Sequence, residues 1–419
     1  MKKYIILIFL IVVKTGTAFS QNKTEKRLKT LSEQYQFVKM DSVNNKMKTR
    51  EYFFYKALFA NVCNKPKVSN LYLDSLTQND ITQKFNYYKL KNDNYLKLFD
   101  YKNAFKTSNI LTSTFSKNFS TEELNDELNT QRIWQVLKLQ EPQTIDSFSE
   151  LSVATKKDKA GLINTSVLAN NIETDFVFDT GAGISCITES LAKKLGFIIL
   201  PDNNIEVMSF SGIKNKVLIG IAPVLGIGSI KIHNAVFLVY PDDAFTFANG
   251  SYVINGIIGF PIIKELGTIT IEENSLTFSK NKSPENNDKN LFIDELRCVV
   301  MLNFKGKTLP FNFDSGAKQS LFNKSFYELF KSYLDTNGII ISEKSAGAGG
   351  QEIISELLEI KNQSVKLGKI TIDLVKLQVD TADYGVYGKM NYGNIGQDIM
   401  GQFKKVTISF DANYLKLEN

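Results

Sequence analysis

Two aspartates stand in nearly the same surroundings, 135 residues apart in the chain. Asp179 lies in Phe176-Val177-Phe178-Asp179-Thr180-Gly181-Ala182, and Asp314 in Phe311-Asn312-Phe313-Asp314-Ser315-Gly316-Ala317. Each acid follows an alternating aromatic run and precedes a hydroxyl residue and a glycine. A three-residue Asp-Thr-Gly arises often by chance, so the repetition carries the weight. Two carboxylates a few ångströms apart cannot both ionise cheaply; they share one proton and titrate as a unit. Such a pair offers a base and an acid at once. The ionised member can take a proton from water, and the protonated member can polarise a carbonyl and help protonate a leaving nitrogen.

The elements needed to position such a pair also recur. The Phe-x-Phe runs read as strands, as do Val236 to Tyr240 and Ile269-Thr270-Ile271, which are short and rich in β-branched or aromatic residues. A short helix-like stretch follows each acid, around Thr188–Leu195 and Lys324–Phe330. Next comes a turn-rich hairpin, with tips at Ser211-Gly212-Ile213-Lys214 and Gly347-Ala348-Gly349-Gly350. A hydrophobic-glycine signature comes later in each copy, Gly256-Ile257-Ile258-Gly259 and Gly393-Asn394-Ile395-Gly396. Its last glycine lies 80 residues after Asp179 and 82 after Asp314. Both copies close with a strand pair, over 266–278 and 403–417. A polar run with Pro284, residues 280–290, reads as a linker between near-equal halves, 150–279 and 291–419. This is the pattern of an internal duplication.

On these motifs, residues 150–419 resemble the retropepsin-like and pepsin-like aspartic proteases. The resemblance implies a mainly β, bilobal fold of the double-ψ, retropepsin-like kind, with one catalytic aspartate from each lobe, Asp179 and Asp314. It implies that Thr180 and Ser315 stiffen the paired loops through their hydroxyls. Gly181 and Gly316 let backbone approach the carboxylates, and Gly259 and Gly396 let a strand pass closely behind each loop. Phe210, Ser211, Gly212, Gly349 and Gly350 are then candidates for the tips of flaps that fold over an extended peptide. The implied activity is that of a secreted bacterial aspartic endopeptidase with a polypeptide substrate, no cofactor and no metal. Because one chain holds both acids, a monomer should suffice. The alternative is a catalytically inactive peptide- or partner-binding protein on the same fold. The chain departs from the family at Phe260 and Gln397, where retroviral members carry arginine. Asp398 follows Gln397, but Pro261 stands in its place in the first half. No tyrosine can be placed in a flap as pepsin-like members have it.

The rest of the chain bounds the reading. A basic start at Lys2 and Lys3, an apolar run from Tyr4 to Val13 and small residues Ala18-Phe19-Ser20 read as a signal peptide over 1–20. The apolar run is too short to span a bilayer, so no stable membrane insertion and a periplasmic or secreted location are expected. Residues 21–145 read as a helical N-terminal domain. Ser120-Thr121-Glu122-Glu123 is a capping box, and Leu124, Leu128, Trp134 and Leu137 are expected along one helical face. The stretch from Tyr95 to Phe105 is similar to part of a tetratricopeptide-type hairpin, and a generic amphipathic helix pair explains it as simply. Lobe boundaries are expected at 146–279 and 291–419.

The net charge of +6 divides into +8 over residues 21–140 and −5 over 141–419, with the remainder in the leader. Opposite charge favours contact between the helical region and the lobes. Either a permanent module or a basic pro-segment would fit. No basic stripe with interleaved stacking aromatics marks a nucleic-acid module. A single histidine, His233, argues against histidine-based triads and most zinc sites, and reads as a strand residue near a turn. Cys63, Cys186 and Cys298 lie in apolar runs and read as small buried hydrophobes, with one disulfide as the alternative.

Overall fold

The alternating aromatic runs form strands because every second side chain must reach the same apolar face. The computed structural model describes residues 23–47, 49–76, 84–208, 214–280, 289–347, 349, 352–383 and 391–419. The leader, most of the linker, and Phe210, Ser211, Gly212 and Gly350 lie outside the described residues. The strand carrying each aspartate is the second arm of a hairpin. Ile163–Ala169 pairs with Ile172–Phe178, and Arg297–Phe304 with Lys307–Phe313. Both turns place two successive residues at positive φ, Asn170 and Asn171 in the first, Lys305 and Gly306 in the second. Such turns match the twist of paired strands.

Behind each hairpin the chain crosses over in the same way. Gly256–Ile258 runs parallel to the Asp179 strand, with Ile258 opposite Phe178, and antiparallel to Ser185–Thr188. Ser185–Thr188 in turn lies parallel to Ile230–Tyr240. In the second lobe Gly393–Ile395 runs parallel to the Asp314 strand, with Ile395 opposite Phe313, and antiparallel to Leu321–Phe322. Phe322 sits opposite Val379 of Ile370–Asp380, again parallel. The expected mainly β, two-lobed architecture behind a helical N-terminal region is therefore what the structure shows.

The lobes are joined by backbone. Thr268–Glu272 of the first pairs antiparallel with Lys405–Ser409 of the second, from Thr268 opposite Ser409 to Ile271 opposite Val406. Ser275–Ser279 and Tyr414–Glu418 flank this pair. Phe178, Ile269, Phe278, Phe313, Ile408 and Phe410 belong to one buried apolar cluster that runs through both lobes. Each such side chain contributes about 1.5–3 kcal/mol on burial. The two aspartate strands are thus anchored in one core.

The N-terminal region is helical: α1 (23–33), α2 (Phe37–Met47), α3 (Tyr52–Val62), α4 (Pro66–Asp74), α5 (Lys84–Lys97), α6 (Tyr101–Thr114) and α7 (Thr121–Leu137). The expected capping box opens α7. Ser120 Oγ accepts from the Glu123 amide at 3.2 Å, and Glu123 accepts from the Ser120 amide at 2.7 Å. The stretch from Tyr95 to Phe105 spans the turn between α5 and α6, where Asp100 caps α6. The buried face of α7 is Ile133, Trp134 and Leu137, whereas Leu128 is 37% exposed. At about 100° per residue, Leu124 and Leu128 point well away from that face, so the expected single stripe does not hold.

This region is bolted to both lobes. Phe292 of the second lobe lies in a cluster with Leu28, Leu31, Phe37 and Met40, its ring 5.1 Å from that of Phe37. The Tyr35 hydroxyl donates to Asp294 at 2.5 Å. Lys97, fully buried, donates to Asp93 at 2.7 Å, Asn61 at 2.9 Å and the Ile293 carbonyl at 3.1 Å. Lys264 of the first lobe donates to the Lys97 carbonyl at 2.9 Å and lies over the Phe99 ring. A buried ammonium without partners would cost several kcal/mol; here partners from both sides of the junction meet each one. Apolar packing and directed hydrogen bonds make the join, while the ion pairs Lys56–Asp41, Lys91–Asp74 and Lys97–Asp93 run within the helical region. Cys63, Cys186 and Cys298 are buried free thiols. His233 lies in a strand with its Nε2 3.0 Å from Asp146.

Candidate active site: two aspartate loops face each other

Each aspartate leaves its strand at the point where the parallel neighbour ends. The Asp179 amide donates to the Ile258 carbonyl at 3.0 Å, and the Asp314 amide to the Ile395 carbonyl at 2.9 Å. The two loops then lock to one another. Thr180 Oγ1 donates to the Phe313 carbonyl at 2.6 Å and accepts from the Ser315 amide at 3.0 Å. Ser315 Oγ donates to the Phe178 carbonyl at 2.7 Å and accepts from the Thr180 amide at 3.0 Å. Both hydroxyl residues are fully buried. Each hydroxyl therefore serves the opposite lobe, and only a residue that both donates and accepts can do this.

The lock brings the carboxyl groups together. They hydrogen-bond to one another and stay partly open to solvent. Glycine is required beside each. A Cβ at Gly181 would lie 2.6 Å from Asp314 Oδ2, and one at Gly316 would lie 2.5 Å from Asp179 Oδ1. Asp179 Oδ1 accepts from the amides of Gly181 at 2.7 Å and Ala182 at 3.1 Å; Asp314 Oδ1 accepts from that of Gly316 at 3.0 Å.

These surroundings set the proton. Burial raises both acids above the ordinary carboxyl range. Asp314 is pushed well up, by burial first and then by the Asp179 charge beside it. For Asp179 the amides of Gly181 and Ala182 and the hydrogen bond with Asp314 oppose the effect of burial. Two buried carboxyls this close hold one proton between them. The pair titrates as one unit.

A second ring of contacts supports the loops. Gly259 donates to Ser185 Oγ, and Gly396 to Ser320 Oγ, each at 2.9 Å. A Cβ at Gly259 or Gly396 would meet backbone at under 3 Å, so each glycine allows the close passage expected of it. Sequence reasoning missed Ser185 and Ser320, although each stands six residues after its aspartate. Gln397, one of the departures from the family, donates through Nε2 to the Ser315 carbonyl at 2.8 Å. Asp398 accepts from the Ser320 amide at 2.8 Å and hydroxyl at 2.7 Å. Phe260 instead packs fully buried, its ring 5.5 Å from that of Phe410. Asn394, opposite Asn312 in the second lobe, places Nδ2 3.4 Å from Asp314 Oδ2. The matching pair in the first lobe is Ile257 opposite Val177.

Of the flap candidates, Gly349 is described. It lies at the tip of the hairpin Ile339–Ala346 and Glu352–Leu367, buried, with φ of 102°. Its amide donates across to the Ala244 carbonyl of the first lobe at 3.2 Å. Among the described residues no group of three or more His, Cys, Asp or Glu could hold a metal ion.

The likeness read from the motifs has an independent match in the first lobe. Residues 165–262 match the family model described as aspartyl protease. Two solved structures are similar to the chain. A retropepsin-like aspartic protease from Rickettsia conorii is 20% identical, with a TM-score of 0.22 over 33% of this chain and 94% of that one. Conglutin gamma, a basic 7S globulin from lupine seeds, is 12% identical, with a TM-score of 0.36 over 63% of this chain and 93% of that one. No curated protein sequence matches the chain.

Proposed function

We propose that this chain is an aspartic endopeptidase whose two lobes supply the base and the acid of one peptide-hydrolysing site. The observation that carries the reading is the reciprocal hydrogen-bonding of Thr180 and Ser315, which sets Asp179 and Asp314 against each other. In the proposed step Asp179 takes a proton from a water as its oxygen bonds to the scissile carbonyl carbon. Asp314 gives its proton to the carbonyl oxygen. The resulting gem-diol collapses: the C–N bond breaks, the nitrogen takes the proton held by Asp179, and one hydroxyl returns its proton to Asp314. Protons balance and the site returns to its starting state. The closely held carboxyls supply the geometry, and burial keeps one of them protonated.

The helical region is proposed as a permanent module of the active enzyme, since its contacts with both lobes are those of a packed core. The leader motif supports an extracytoplasmic location, and one chain holding both acids supports an active monomer. The test is hydrolysis of unfolded casein across a pH series, with and without a statine-containing transition-state mimic. Cleavage that the mimic suppresses supports the reading. Its absence at every pH overturns it.

A further inference from the structure

The two hairpins that follow the aspartates differ in what holds their outer strand. In the first lobe this strand is Ile205–Met208, paired with Lys214–Ile227 from Ile205 opposite Val217 to Met208 opposite Lys214. Its other edge is free of strand partners among the described residues. An unpaired edge leaves amides and carbonyls to be satisfied by something else. Helix α7 does this with side chains. Asn129 donates from Nδ2 to the Glu206 carbonyl at 2.5 Å and accepts at Oδ1 from the Glu206 amide at 2.9 Å. One carboxamide thus replaces a neighbouring strand at that residue. One turn along, Arg132 donates to the Asn204 carbonyl at 2.7 Å, and Asn203 Nδ2 returns a bond to the Arg132 carbonyl at 2.9 Å. Below these contacts Ile133, Trp134 and Leu137 share an apolar cluster with Leu200, Ile205 and Val217.

In the second lobe the equivalent outer strand, Ile339–Ala346, ends its sheet. Ile339 and Ile340 on it are 57% and 75% exposed, and Ile354 on its partner strand is 76% exposed. Among the described residues no helix of the N-terminal region packs there as α7 packs on 205–208.

We infer that α7 is a built-in brace for the first-lobe hairpin, with Asn129 and Arg132 as positioning residues. A hairpin held by the same helix that anchors the domain does not have to be ordered on binding, and that lowers the cost of forming the complex. The second hairpin is held by its own strand pairing and by the tip contact from Gly349 to Ala244. As a statement about catalysis this rests on the peptidase reading; as a statement about the hairpin it does not.

The experiment compares hydrogen exchange in the full chain, Asn129→Ala and Asn129→Asp. The aspartate keeps size and acceptor but removes the donor. Arg132→Ala, a change at an exposed side chain, repeats the test independently of folding at Asn129. Amides over 205–208 and 214–217 should exchange about tenfold faster in each variant, with the core and the 352–367 strand unchanged. In the wild type, amides near 339–346 should exchange faster than those over 205–208. With a casein-derived peptide as substrate, KM should rise about threefold or more while kcat stays within about twofold, the pattern of lost preorganisation. Unchanged exchange over 205–208 in all three variants would overturn the brace, whatever the activity. A wild type that hydrolyses nothing would overturn the peptidase reading instead and leave the exchange result to decide the brace.

Discussion

The two lobes carry the same loop and surround it differently. Each offers an acid, a cross-lobe hydroxyl, a glycine under the opposite carboxyl and a serine six residues on. Around Asp179 the neighbouring strand residues are Val177 and Ile257; around Asp314 they are Asn312 and Asn394. The first lobe's hairpin is tied down by α7, and the second lobe's ends its sheet. The features that must match are those that cross between lobes, because any mismatch there would separate the acids. Features that act within one lobe are free to diverge.

The largest effects should be symmetric. Asp179→Asn and Asp314→Asn should each lower kcat by about 10⁴-fold or more, and the double variant should be no worse than either, since the pair acts as one unit. Steady-state kinetics on one peptide would show it, and near-wild-type turnover in either single variant would break the symmetry. Gly181→Ala and Gly316→Ala should come next, with losses of about 10²-fold or more, because the new methyl must push the opposite carboxyl away.

Thr180→Val and Ser315→Ala should each cost about 2–4 kcal/mol in denaturant unfolding, since each strands a buried amide and a buried carbonyl of the opposite lobe. Thr180→Ser, which keeps the hydroxyl, should cost far less. Unequal losses would show that one loop leans on the other more than the geometry indicates.

The pH dependence reports on the pair. Hydrolysis should follow a bell, lost at low pH as the pair takes a second proton and at high pH as it loses the shared one. Stability has a definite sign. An acid raised on folding holds its proton more tightly in the native state, so its contribution is full below the unfolded value and fades as pH rises through the raised one. Asp314→Asn keeps a neutral group there, so it should be more stable than the wild type on the alkaline side while inactive. The smallest effect should come from Asn394→Ile, which makes the second lobe resemble the first. Removing the donor near Asp314 should move the alkaline limb of the bell upward.

Much of this site was legible in the sequence, and for a physical reason. Residues that must touch across a two-fold arrangement are constrained twice, so Asp-Thr-Gly-Ala and Asp-Ser-Gly-Ala stand out by repetition. The serines at 185 and 320 carried the same signal. The support from Gln397 and Asn394 did not, because a single amide in an apolar strand has no pattern to mark it. The helical face of α7 was misread because Leu124 and Leu128 look apolar in sequence, while burial goes to the side that meets the 205–208 hairpin. The charge difference between the regions foretold contact but not its means. Buried lysines seeking carbonyls and a carboxamide pairing with backbone leave no trace in net charge.

One chain is expected to supply both halves of one site. This is tested most directly by mixing Asp179→Asn with Asp314→Asn and measuring peptide hydrolysis beside a dilution series of the wild type. Wild-type activity per chain should be constant into the nanomolar range, and the mixture should be as inactive as either variant alone. Activity restored on mixing, or wild-type activity that falls on dilution, would mean that the two aspartates of a working site come from different chains.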